Sequence, residues 1–216
     1  MSFSKVIFLG ICTAGLAACG VVDNTPKTVA QAHTLVPAIA LTTAPGDAPA
    51  GTYTNDKGHA YITFHYVHQG YSRPFLRWRD WDSVLNWDPE NPENSSVTVT
   101  IDTNSIDTGV DVFDGHMRSA DWLDVANHPK ASFESTSLTK TSDRTGTMTG
   151  NLTFMGITKP VTLDVTFNKA ADGRAPGSYK IGFSAETELM RSDWGLGKYA
   201  PAVSDEVKVI IEAEYV

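Results

Sequence analysis

Read as hydrophobic and polar positions, the chain changes character near residue 51. Beyond it, apolar side chains recur at every second position, the pattern of half-buried strands. Val97, Val99 and Ile101 share one face, with Thr98, Thr100 and Asp102 opposite. Val161, Leu163, Val165 and Phe167 align in the same way, as do Tyr179, Ile181, Phe183, Ala185 and Leu189. Val207, Val209, Ile211, Ala213 and Tyr215 form a further set. Candidate strands at 59–68, 75–87, 131–139 and 145–154 bring the total to about eight. Antiparallel strands with one apolar and one polar face suit a closed barrel or a sandwich. One segment, 111–129, has helical spacing, with Asp111 or Asp114 available to cap its start and Pro129 to end it.

The first 18 residues read differently. A single early charge, Lys5, precedes an apolar run and then small residues, the layout of an export signal. Leu16, Ala17, Ala18 and Cys19 resemble the bacterial lipobox, which implies cleavage before Cys19 and acylation of its thiol. Gly20 follows the cysteine where an aspartate would suggest inner-membrane retention, so the periplasmic face of the outer membrane is the expected location. Residues 19–50, rich in Ala, Thr and Pro, read as a flexible tether to a domain at 51–216. Cys12 and Cys19 are the two cysteines, so the mature domain has no disulfide and relies on its own core.

The net charge of −8 argues against nucleic acid as a partner. Phosphate-loop, nucleophile-elbow and zinc-protease motifs are missing, and no enzymatic activity is expected. Asp80 and Asp82 share a strand face and imitate a carboxylate pair, but such pairs on a solvent-facing strand serve solubility far more often. His65 and His68 point to opposite faces, and His59 and His65 lie too far apart along a strand for a compact chelate, so no metal site is expected.

Five stretches together carry a family resemblance: 59–72 (HAYITFHYVHQGYS), 101–109 (IDTNSIDTG), 114–136 (DGHMRSADWLDVANHPKASFEST), 150–163 (GNLTFMGITKPVTL) and 191–195 (RSDWG). In this order they resemble the YceI-like family over nearly the whole domain. The resemblance implies an exported, all-β, eight-stranded antiparallel lipocalin-like barrel with a short helical insert. It also implies a bound polyisoprenoid lipid or isoprenoid quinone and no covalent cofactor. The chain departs from the family pattern at Leu76 and Ser83, and tryptophan stands at 78, 81 and 87 where phenylalanine is usual. A narrower or differently shaped cavity is therefore expected.

Those tryptophans sit among charges. Strict alternation puts Trp81, Ser83, Leu85 and Trp87 on one face and Trp78 on the other, unless a bulge at Arg79–Asp80 resets the register. Inward rings could line an apolar tunnel or simply fill the core. The candidate ligand-binding residues are Phe64, His68, Trp78, Trp81, Leu85, Trp87, Trp122, Phe133, Leu163, Phe183 and Trp194, with Arg118 and Arg191 as holders of a polar head. Either arginine could instead make an internal ion pair. The expected function is sequestration or transport of the lipid near a membrane, with presentation to a membrane redox protein and homodimerisation both compatible. The alternative is an interaction or envelope-stress module whose barrel is filled by its own side chains.

Overall fold

The computed structural model describes residue 44 and residues 47–216. The export signal, Cys19 and nearly all of the tether therefore lie outside the described residues. In chain order the elements are β1 (Gly51–His65), β2 (Phe75–Trp78), β3 (Trp81–Trp87), β4 (Ser96–Asp102), β5 (Ile106–Asp107) and α1 (Asp111–Arg118). Then follow β6 (Lys130–Lys140), β7 (Thr145–Phe154), β8 (Ile157–Asp172), β9 (Tyr179–Met190) and β10 (Glu206–Tyr215).

From β3 the ladder runs through β4, β6, β7, β8, β9 and β10, every pair antiparallel, and β10 returns to β1. On its other edge β1 pairs with β3 through residues 51–54 and with β2 through residues 62–65. β2 and β3 are thus one strand interrupted at Arg79–Asp80. Counted so, the barrel has eight strands and is closed, which leaves no open edge in the ring. The small β5 pairs with the outer side of β2.

Alternation explains the wall. β3 reads inward at Trp81, Ser83, Leu85 and Trp87, all buried, with Asp82 and Asn86 facing out. Where alternation fails, a bulge has been inserted. A register shift between Phe167 and Lys169 keeps both Phe167 and Ala170 inside. Another, between Asn55 and Ala60, turns Asn55 inward, where its side chain bridges the Trp81 carbonyl at 3.2 Å and the Ser83 amide at 2.8 Å. Ser83 Oγ lies 2.9 Å from the Tyr215 hydroxyl, which closes a buried polar knot. The β7–β8 hairpin turns on two residues, Met155 and Gly156, both at positive φ. That conformation matches the twist of the flanking strands, and Gly156 adopts it without steric cost.

Two apolar clusters stack along the barrel. One gathers Tyr53, Trp87, Phe167, Ile181 and Tyr215 at the end where β1 begins. The other gathers Leu76, Ile106, Met117 and Leu123 at the opposite end, beneath α1. Among the described residues, both clusters are drawn from 48–215 and give the barrel a core of its own.

Three expectations need correction. The helix is shorter than 111–129: α1 stops at Arg118 and turns follow. Its N-cap is Val110 without a side-chain bond. Asp114 instead accepts from the Thr108 amide at 2.7 Å and its hydroxyl at 2.6 Å, tying the helix back to the preceding turn. β1 begins eight residues before the expected strand and ends at His65, which leaves His68 in the connection to β2.

Candidate binding cavity

The interior is not filled. A cavity of about 280 Å³ runs between the two clusters. Strand β1 offers it Ile62 and Phe64, and β2–β3 offer Trp78, Trp81, Leu85 and Trp87. The interruption at Arg79–Asp80 brings Trp78 to the same side as Trp81, though the two are three residues apart. Trp78 then stands 5.5 Å from Phe64 and edge-on to Phe154, ring centre to ring centre 6.4 Å. At the far end Phe183 meets Trp87, Phe167 and Tyr215 in edge-to-face contacts at 5.7, 5.7 and 6.2 Å. The lower rings therefore close the base and form its wall together. Phe133 and Leu163 stand on β6 and β8 in the opposite wall.

The end beneath α1 is built by the irregular segments. Trp122 lines the cavity and stacks on Tyr199 at 5.2 Å. The stretch 191–195 is a tight 3-10 turn closed by Gly195 in the left-handed region at φ 81°. Its Ser192 donates to Asp205, its Asp193 faces Lys159, and its Trp194 turns into the cavity. Arg191 also lines the cavity: its Nε donates to the Ser204 carbonyl and one terminal nitrogen to the Val203 carbonyl, both at 2.8 Å. Burial pushes the Tyr66 hydroxyl up, against the opposing pull of the Arg191 charge.

The structure thus brings eleven of the sequence-derived candidates to the cavity wall and leaves out two. His68 is exposed, and its backbone bridges Ser72 and Val203 outside the barrel. Arg118 donates from Nε to the Asn104 carbonyl at 2.9 Å and from a terminal nitrogen to the Ile106 carbonyl at 3.0 Å, with Asp114 at 3.7 Å. It pins α1 to β5 and does not reach the cavity. Ile62 and Tyr66 were missed, although they alternate with Phe64 and share its face. Met148, Leu152 and Phe154 were missed in the same way on β7.

Outside the barrel, Asp80 and Asp82 both hold Lys57, at 3.0 and 2.9 Å. Asp56, His59 and Glu214 offer ligand-type atoms within 4.8 Å of one another, the one such group among the described residues. Sequence spacing hid it, because the β1 bulge and the β10 pairing create it. Lys180 already bridges its two carboxylates at 3.0 and 2.6 Å.

Comparison with known proteins adds the lineage. Residues 53–215 match the YceI-like domain. The chain belongs to the YceI-like family. It is 41% identical over 172 residues to a UPF0312 protein of Azotobacter vinelandii, covering 78% of this chain and 88% of that one. BcnA of Burkholderia cenocepacia superposes with a TM-score of 0.67 at 23% identity, over 74% of this chain and 98% of its own. A polyisoprenoid binding domain from Saccharophagus degradans, implicated in plant cell wall breakdown, does so at 0.57 and 13% identity, over 77% and 98%. These two likenesses concern the fold.

Proposed function

We propose that this YceI-like barrel binds a polyisoprenoid lipid, non-covalently, in its interior. The observation that carries the reading is the cavity itself: its wall is apolar and aromatic from Trp87 to Trp122, with Arg191 as its one charged side chain among the described residues. Such a wall recognises a long hydrocarbon by area, at about 25 cal/mol per Å² removed from water. The Saccharophagus domain named for polyisoprenoid binding shares the fold and supports the choice of lipid. In the finer reading the cargo is an isoprenoid quinone and the protein is an exported lipoprotein, acylated at Cys19. It would stand on the periplasmic face of a membrane, where it carries or stores the lipid.

Leu163→Trp tests the cavity without introducing a charge. Leu163 is buried in the mid-wall. An indole ring in place of the smaller leucine should occupy the space, leave the barrel's far-ultraviolet spectrum intact and cut lipid uptake at least tenfold. Unchanged uptake in the folded variant would place the lipid elsewhere.

A further inference from the structure

Two buried donors at one end of the cavity have nothing to bind among the described residues. One terminal nitrogen of Arg191 (Nη1) and the indole Nε1 of Trp194 are both shielded from solvent and find no hydrogen-bond partner there. Trp194 is only 3% exposed, and both side chains line the cavity. A buried donor without an acceptor is costly, so a polar ligand atom placed there gains more than the same atom in water. Nε and the other terminal nitrogen of Arg191 donate to the Ser204 and Val203 carbonyls, so the guanidinium is held in place before any ligand arrives. We propose that Arg191 and Trp194 form the head-group subsite of the cavity, and that they take an oxygen acceptor bearing at most one negative charge. This inference rests on the lipid-cavity reading above.

The limit on charge comes from the surrounding ions. Lys159 is held by Asp193, Lys198 by Asp121 and Arg118 by Asp114. Arg191 itself lies close enough to Asp205 to help keep that carboxyl below its ordinary range, after the Ser192 hydrogen bonds. The subsite therefore offers one positive charge, that of Arg191, with the Asp205 carboxylate near it. A diphosphate carries at least two negative charges and would be desolvated against that single cation. A quinone carbonyl needs only the two donors, and a carboxylate needs the donors and the one cation. The Trp87 indole nitrogen, at the other end, also lacks a partner among the described residues. None of those residues sets a charged side chain beside it on the cavity wall, so the polar head belongs with Arg191.

The test uses the barrel, residues 47–216, and one prenyl chain of fixed length carrying a quinone, a carboxylate, a diphosphate or no head. Affinities are read by quenching of tryptophan fluorescence and checked by native mass spectrometry. The quinone or the carboxylate is expected to bind at least tenfold more tightly than the headless chain, and whichever binds better names the head. The diphosphate is expected to bind more weakly than both. Trp194→Phe removes one donor and keeps an aromatic, though smaller, side chain, and should lower the preference for the headed chain about fivefold, as one hydrogen bond would. Arg191→Met should abolish that preference; the ratio of headed to headless binding is read, because the loop at 203–204 also loses its anchor. A diphosphate bound as tightly as the quinone, or a Trp194→Phe loss equal for headed and headless chains, would overturn the subsite. Failure of all four chains to bind would overturn the lipid cavity itself, a different result.

Discussion

Single side chains set the dimensions of the interior. Gly150 faces Phe133 so closely that an added Cβ would lie 2.3 Å from its ring and 2.6 Å from the Glu134 carbonyl oxygen. The Phe133 ring, part of the cavity wall, and the Glu134 backbone must therefore both shift in Gly150→Ala. A destabilisation of about 1–3 kcal/mol is expected from such overpacking, read as a lowered denaturant midpoint, together with weaker lipid uptake. An alanine variant as stable as the parent would show that the wall yields more easily than its geometry implies. Ser83 acts through polarity instead. Ser83→Ala leaves the Tyr215 hydroxyl buried without its partner, at a cost of about 1–3 kcal/mol. Tyr215→Phe made on that background should recover much of the loss in the same denaturation experiment, because it removes the orphaned group.

Among the elements, the interrupted strand matters most. Strict alternation along 75–87 sends Trp78 out of the barrel, and the gap at Arg79–Asp80 brings it in beside Phe64. The sequence allowed that break without requiring it, since no glycine or proline marks the site. Strands with regular alternation, β3, β9 and β10, were legible because each has one apolar face to bury. Bulges were not, because each follows from pairing with a distant partner, as Asn55 shows. The same limit explains Arg118 and His68. Both belong to motifs that resemble the family, but a motif does not say whether an arginine meets a ligand or the carbonyls of Asn104 and Ile106. The stretch 191–195 shows both outcomes: Ser192 and Gly195 build the turn, while Arg191 and Trp194 face the cavity.

At the scale of the molecule, carboxylates on the outside respond to acid. Asp56 is held far below its ordinary range, first by His59, then by Lys180 and the Gly58 amide. Asp107 is lowered by the Gly109 amide and Arg77, and Asp114 by the Thr108 hydroxyl and amide. Because these folded-state values are depressed, the unfolded chain binds more protons in the window below about pH 4. Stability from these groups is present above that window and is lost as pH falls through it. Thermal melts from pH 7 down to pH 3 should show a declining midpoint, and Asp56→Asn should flatten that decline. A midpoint independent of pH would mean that the pairs contribute nothing measurable.

The charged exterior surrounds an interior of a different kind, and the central claim concerns what that interior holds. The most direct measurement is native mass spectrometry of residues 47–216 purified from their own host without detergent, followed by organic extraction. The expected result is a bound mass that extracts into solvent and matches a polyisoprenoid lipid. A bare protein mass, with no uptake when such lipids are added, would contradict the account and leave the tryptophans as the packing of a barrel that serves some other purpose.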